Sequence, residues 1–433
     1  MPSRLAVTGD QARPRVGLLI ASLGYGGAER MVLALARALI AAGYEIRLFC
    51  LDIDREMPLP GDERERAIID RSIVVLGRGA SSAGTLRKAL AMPRLVWRLA
   101  RATRAARLGL VISFMERANI LNLLGGTRPP RFVSIRKHPT VGLAGKTALK
   151  RWLVRVGYRL LLTRCCEINF NSAEAAEAFL AVFPAPNRPV SVIPNFFDDD
   201  IQEHAREPSE ASAADLPTRP FILTCGRLVR AKGQAALLRS YAEFAGDYPD
   251  IDLVILGDGP LRNDLKATVD ALGLADRVRL PGFDPNPYRW MGRCLLFVLP
   301  SRAEGFPNAL LEAMALGKAI VASDCHSGPR ELLAPDTPTQ CKTNTVEFAD
   351  YGVLTAPLDP VDAPVDAPLS PPEAALASGL RRLLADEALR NAYAQCAWQR
   401  AQAFRRDAVL AAWLERVRQH VPAPAGEGPS ETS

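Results

Sequence analysis

Four charged residues give the first hint of chemistry: Arg227, Lys232, Glu304 and Glu312. The two glutamates lie in the run LLFVLPSRAEGFPNALLEAMAL, residues 295–316. This run reads as a buried strand ended by Pro300, a loop carrying Glu304, and a helix carrying Glu312. Pro307 suits a first helical turn and Gly317 the position just past a helix end. Free N–H groups and the positive dipole end make a helix start a phosphate site. Carboxylates close to that point must serve something other than the phosphate, and sugar and ribose hydroxyls are the obvious partners. The pattern asks for a phosphate in the middle and hydroxyl-rich groups on both sides, which is a nucleotide-sugar. As an isolated E-x7-E pair the two would instead be solvated surface glutamates, a reading that the strand–loop–helix context weakens. Arg227 and Lys232 follow another apolar run, FILTCG, with Gly226 and Gly233 beside them. An Arg fork and a Lys point charge at this spacing suit a diphosphate. Taken alone they are equally an exposed basic loop.

The elements that must position these residues alternate throughout, which argues for parallel sheets covered by helices. In the first half VGLLIAS reads as a strand, LGYGG as a loop, AERMVLALARALIAAG as a helix and EIRLFCL as a second strand. Further strands are expected at 73–76, 110–114, 132–135, 168–171 and 190–193, with basic helices at 87–107 and 146–162. The acidic run 198–200 closes this half, and the polar stretch 203–220 reads as the linker. The second half supplies strands at FILTCG, DLVILG, RVRLPG, LLFVLP and AIVAS. Residues 359–372, with VDAP twice, read as a loop insertion, 381–418 as helices, and PAPAGEGPSETS as a disordered tail. Ligands in such sheets bind beyond the carboxyl ends of the strands.

With 433 residues the chain exceeds one ordinary core. Eight scattered cysteines without C-x-x-C and four histidines without metal-ligand spacing fit reduced thiols in a cytosolic protein and argue against a metal site. No apolar run reaches membrane-span length. The first apolar run, 16–23, leads into Gly24, Gly26 and Gly27 and reads as a strand rather than a signal peptide. The net charge of +7 hides an asymmetry. Residues 71–166 hold 20 Lys and Arg against one acid, Glu116, a net +19, so the rest of the chain carries −12. Such a bias points to an anionic partner: nucleic acid, or an anionic membrane surface or a lipid pyrophosphate within it. A general preference for Arg on solvated faces explains part of the Arg content, not the near absence of acids.

Two glycine clusters invite a dinucleotide reading, and both fail it. After LGYGG, Glu29 stands where the third Gly or Ala belongs, and GDGP is followed by Leu261 and Arg262. The second half instead resembles the donor domain of the family 4 (group 1) retaining glycosyltransferases. The resemblance rests on GRLVRAKG, LVILGDGPLRNDL, VRLPGF, PSRAEGFPNALLEAMALGKAIVAS and SGPREL, in the family's order, and on GYGGAERMVLALARAL near the start. It implies an α/β GT-B fold, two Rossmann-like domains facing across a cleft. The expected parts are an acceptor domain at 1–197, a donor domain at 198–395, a helix at 396–420 returning to the first domain, and a tail at 421–433.

The family implies that Arg227 and Lys232 hold the donor diphosphate and stabilise the leaving-group charge. Glu304 would face the donor sugar, Glu312 the ribose hydroxyls, and the backbone of Asn308, Ala309 and Leu310 a phosphate. Gly282 and Phe283 would lie near the base, and Gly26 and Gly27 would let the first loop approach the phosphates. The donor would be a UDP- or GDP-sugar used without metal, and no tightly bound cofactor is implied. On the acceptor side the candidates are His138, Arg136 and Glu116, the last orienting Arg117 or Arg136, binding an acceptor hydroxyl, or pairing at the surface. The acceptor expected is a glycan on a polyprenyl diphosphate, met by a cytoplasmic protein peripherally bound at the inner face of the plasma membrane, with no nucleic acid involved. The rivals are a sugar-nucleotide epimerase of the same architecture, whose acid–base residues are not visible, and a basic nucleic-acid-binding protein, which lacks the aromatic–basic interleaving of common RNA modules.

Overall fold

Short runs of Val, Ile, Leu and Phe, buried on both faces, build two parallel sheets in the computed structural model. It describes residues 13–422 apart from 25, 53–58, 60–61, 78–84, 138–146, 184–186 and 208–215. The first sheet contains β1 (Arg15–Ile20), β2 (Glu45–Cys50), β3 (Ile73–Val75), β4 (Leu110–Phe114), β5 (Arg131–Ile135), β6 (Glu167–Phe170) and β7 (Val190–Val192). All pair in parallel, in the order β3-β2-β1-β4-β5-β6-β7. The second contains β8 (Phe221–Cys225), β9 (Asp252–Leu256), β10 (Val278–Gly282), β11 (Leu296–Leu299), β12 (Ala319–Ser323), β13 (Val346–Ala349) and β14 (Gly352–Thr355), in the order β10-β9-β8-β11-β12-β14-β13. Its one antiparallel pair, β13 with β14, is absent from the sequence expectation. VEFA at the sheet edge is only partly buried, so it lacks the apolar run that betrays a central strand.

In both sheets the strand order reverses once, between β1 and β4 and between β8 and β11. A crevice opens at such a point beyond the strand ends. One face of the first sheet, with Leu18, Ile112 and Phe132, packs against helix Gly27–Ala41 and helix Arg406–His420. The other, with Leu19, Val111 and Val133, is covered by helices Thr85–Ala105, Glu116–Leu124 and Ala148–Leu162. The chain returns to the first domain later than residue 396. Ala397, Ala401 and Phe404 still pack in the second core, whereas Val409, Leu410 and Trp413 belong to the first. Outgoing and returning segments run side by side, with Phe197 and Arg405 in a parallel bridge. Part of the expected linker is helical, Ile201–Arg206, and residues 208–215 of it lie outside the described residues, as does the tail from 423.

Candidate active site

The carboxyl ends of β8 and β11 bring Lys232 and Glu304 together. Lys232 ends a short 3-10 turn, Arg230–Lys232, and its Nζ donates to Glu304 Oε1 at 2.6 Å. Ser301 Oγ donates to the same oxygen at 2.6 Å. The approach depends on Gly233, whose φ is +66° and whose Cβ, were there one, would lie 1.9 Å from Pro300 O. Any side chain there would push the β8 loop off the β11 loop and part the ion pair. Arg227 is exposed, and its guanidinium bonds none of the described residues and faces solvent at the strand end, while its carbonyl accepts from Gln234 Nε2.

Helix Asn308–Ala315 begins directly after Pro307. Of the three N–H groups expected at a phosphate, that of Asn308 is bonded to Phe306 O at 3.0 Å and that of Leu310 to Pro307 O at 3.1 Å. This leaves Ala309 as the donor of the three with no carbonyl partner among the described residues. The Leu310 side chain is core. From across the cleft comes Gly27, where a Cβ would lie 2.0 Å from Asn308 Nδ2. Gly26 precedes it as the N-cap of helix Gly27–Ala41. Asn195, just before the crossing to the second domain, donates from Nδ2 to Asn308 Oδ1 at 2.6 Å. Gly282, with φ +97°, and Phe283, 58% exposed, end β10.

Glu312, 5% exposed, points back toward the first domain. Its Oε1 accepts from Arg30 Nη1 at 2.5 Å and from Tyr288 OH at 3.5 Å. Burial raises the Glu312 pKa above the ordinary carboxylate value, while the Arg30 charge and hydrogen bond act against that rise. Arg30 also donates to Tyr288 OH at 3.0 Å and to Asp198, whose second oxygen is held by Arg406 of the returning helix. Burial would raise Asp198 too, but the two arginines hold it below its ordinary value. Behind Arg30 lies a cavity of about 640 Å³ lined by helices Gly27–Ala41 and Arg406–His420.

A second set of contacts crosses the cleft. Glu331 of the second domain accepts from Ser172 Oγ at 2.5 Å and from the Ala173 N–H at 2.8 Å, capping helix Ala173–Val182 of the first. In return Glu174 accepts from the Ser327 N–H at 2.9 Å, just before helix Pro329–Leu333. It also bonds His326 Nδ1 at 2.7 Å and Lys342 Nζ at 3.0 Å.

The acceptor-side expectations need correction. Glu116 is exposed and orients neither proposed arginine: Arg117 pairs with Asp52 at 2.6 Å, and Arg136 bonds Ser134 Oγ at 3.0 Å and Asn195 Oδ1. Arg136 does not present its charge to the cleft. Its guanidinium lies between the Phe114 and Trp413 rings, 5.3 and 5.8 Å from their centroids, and pairs with no carboxylate among the described residues. Burial lowers its pKa to about 9. Its link to the cleft runs through Asn195, which also bonds Asn308. His138 lies outside the described residues. Arg30, Asn195, Asp198, Tyr288, Glu174 and Glu331 escaped the sequence reading. Arg30 lies three residues after the glycine loop and Asp198 heads an acidic run, and both signals pass for ordinary surface charge.

Two family models match the chain, the glycosyl transferase 4-like domain over residues 26–195 and glycosyl transferases group 1 over residues 206–347. Between them they span both domains, and the chain belongs to the group 1 glycosyltransferases, transferases with the GT-B fold. It is 29% identical over 395 residues to a Campylobacter jejuni protein named as an N-acetylgalactosamine-N,N'-diacetylbacillosaminyl-diphospho-undecaprenol 4-alpha-N-acetylgalactosaminyltransferase, covering 90% of this chain and 95% of that one. It is 32% identical over 236 residues to an uncharacterized glycosyltransferase of Methanocaldococcus jannaschii, a match that spans 53% of this chain and 58% of that protein. The fold is shared with Anabaena HepE, solved in complex with UDP, at a TM-score of 0.70 and 20% identity, over 94% of this chain and 100% of that chain.

Proposed function

We propose that the protein is a retaining, metal-independent glycosyltransferase that moves a sugar from a nucleoside-diphosphate sugar to a growing lipid-linked cell-surface glycan. The observation that carries this is the Lys232–Glu304 pair beside Arg227, facing the start of helix Asn308–Ala315 across from Gly27. The donor diphosphate would lie between Arg227, Lys232 and the helix start, where fixed positive charge takes up the charge of the departing diphosphate. Those two side chains would do the work that a divalent cation does elsewhere. The bond from anomeric carbon to diphosphate oxygen breaks, the acceptor hydroxyl oxygen bonds to that carbon on the same face, and its proton passes to the departing diphosphate oxygen. Glu304, its Oε1 fixed by Lys232 and Ser301, would hold sugar hydroxyls on that face. Glu312 would take the ribose. The Anabaena structure, with UDP bound, supports a uridine nucleotide as the first to test. The Campylobacter relative, named for transfer to a diphospho-undecaprenol-linked saccharide, supports a lipid-linked acceptor.

The outer helices of the first domain support a membrane-surface location at the cytoplasmic face. Leu90, Arg94, Trp97, Arg101 and Arg104 form one exposed stripe on helix Thr85–Ala105, and Trp152, Val156, Arg159 and Leu160 another on helix Ala148–Leu162. Leu90 is 74%, Trp97 59%, Trp152 58% and Leu160 65% exposed. Aromatic and aliphatic side chains interleaved with Arg suit the headgroup boundary of an anionic bilayer. Among the described residues no helix is long and apolar enough to cross a membrane.

The test is transfer from labelled UDP- and GDP-sugars to a polyprenyl-diphosphate-linked saccharide, with and without chelator, and with the product's anomeric configuration read by NMR. Transfer with retention in the presence of chelator is expected. Inversion, or a strict metal requirement, would overturn the corresponding part of the reading. Donor interconversion without any acceptor would favour an epimerase.

A further inference from the structure

We infer that Arg30 is a positioning residue of the donor site, a cation supplied by the opposite domain that keeps Glu312 ionised and aimed at the ribose once the cleft has closed. The inference rests on the donor reading above and adds to it a residue from the first domain. Arg30 reaches Glu312 Oε1 at 2.5 Å and Tyr288 OH at 3.0 Å, and its other partner is Asp198. Asp198 is itself fixed by Arg406, so the guanidinium is tied to the crossing segment and the returning helix together. Both Arg30 and the Tyr288 hydroxyl engage Oε1, and no described residue donates to Oε2, which leaves that oxygen for ligand hydroxyls.

The groups facing Glu312 are few. They are Arg30 from helix Gly27–Ala41, Asp198 from the crossing, the Tyr288 hydroxyl from helix Tyr288–Arg293, and the Cys225 thiol at the end of β8. Helix Glu387–Ala401 packs on helix Asn308–Ala315, which carries Glu312, and Ala397 and Ala401 on its buried side add no charge there. Arg30 is therefore the one cation paired with this carboxylate among the described residues. Burial disfavours the ionised form of Glu312, and Asp198 adds a like charge. Without Arg30 the carboxyl would take up a proton at a higher pH. A neutral carboxyl loses the charge-assisted hydrogen bonds that an ionised one offers to two vicinal hydroxyls. Because the cation and the carboxylate belong to different domains, the ribose site is complete only when they meet. Full nucleotide affinity and cleft closure are thereby linked.

The experiment is titration of the full chain with UDP, and with GDP in parallel, from mildly acidic to mildly alkaline pH. The variants are R30M, R30K, E312Q and R30M/E312Q, each checked for cooperative unfolding. The wild type should bind with little change over this range. R30M should bind about tenfold more weakly at neutral pH, the loss of one charge-assisted bond, and progressively more weakly as the pH falls. R30K should keep the flat profile of the wild type. E312Q should be flat in both backgrounds, because the titrating group is gone. In turnover, R30M should raise the donor KM more than it lowers kcat. A folded R30M that binds with wild-type affinity and a wild-type profile overturns the role of Arg30 alone. A wild type that binds neither nucleotide overturns the donor reading and this inference with it. If R30M does not fold, an R30K profile that falls on the acid side overturns it.

Discussion

The two domains share one architecture but use arginine in opposite ways. In the second, two arginines turn inward and are matched by acids. Arg239 lies against Glu373 at 2.9 Å, and Arg330 holds Asp324 and Glu347, each at 2.6 Å. Arg239 further binds four loop carbonyls between Pro364 and Pro368, so that the Pro-rich insertion is stapled to helix Gln234–Ala242. In the first domain the arginines of the outer layer stay outside, and Arg101 lies 5.5 Å over the Trp97 ring. A buried pair is costly to assemble and worse to break, so it fixes a loop. An exposed cation beside an apolar side chain fixes nothing inside the domain and suits an external surface. On the proposed function, the comparison separates a half built to hold a small ligand still from a half built to meet a larger one.

If that division holds, Glu304→Ala should lower transfer by about a hundred- to a thousandfold, a loss of the size seen when one preorganised transition-state contact is removed. Binding to anionic vesicles should be unchanged. Equal loss of both would erase the division between the halves.

Breaking an inward arginine should act on the fold instead. Arg330→Met leaves Asp324, which is 0% exposed, with only the Thr343 N–H and the more distant Lys342 ammonium, 3.6 Å away, and should lower stability by about 3 kcal/mol in chemical denaturation. A change below about 1 kcal/mol would mean that the inward pairs are dispensable, as surface pairs are.

An outward arginine should show the reverse. Arg101→Glu should leave the unfolding midpoint and nucleotide binding alone and weaken vesicle binding several-fold, at about 1 kcal/mol per basic residue near the surface. High salt should produce the same loss in the wild type. Binding that ignores both charge and salt would leave the outer stripe with no electrostatic part.

The smallest effects belong to the contacts that join the halves. Glu331→Ala removes a cap supplied by the other domain and should cost about 1 kcal/mol. For its counterpart Glu174, burial alone would raise the pKa, but the His326, Lys342 and Ser327 contacts hold it below the ordinary value. A carboxylate depressed in the folded state contributes stability above its unfolded pKa and loses it as the pH falls through the folded one. Acidification below the usual carboxylate range should therefore loosen the domains, read as an increase in radius of gyration by solution scattering. Glu174→Gln should remove that step.

Much of the donor side was legible because its parts are close in sequence. The strand, the loop carrying Glu304 and the helix carrying Glu312 occupy residues 295–316, and Pro307 and Gly317 mark the helix ends in the letters themselves. The acceptor side was not legible in this way. Arg136 looked like a cleft cation, yet Phe114 and Trp413, the latter nearly three hundred residues away, enclose it. Nothing within a dozen residues of Arg136 foretells an aromatic ring arriving from the last helix. Helix Glu116–Leu124 was missed because its short, nearly all-round buried sequence carries little amphipathic period.

By itself, the sequence determined the alternation of strands and helices, the two halves, the charged residues at the ends of β8 and β11, and the charge bias of the first half. These follow from periodicity, turn residues and composition, which act over a few neighbours. Tertiary structure alone decided that Arg30 meets Glu312, that Asn195 links Arg136 to Asn308, and that Glu174 and Glu331 cap each other's domains. Each of those contacts joins groups at least 59 residues apart. The pairing energy of such groups exists only once the fold has brought segments distant in the chain together.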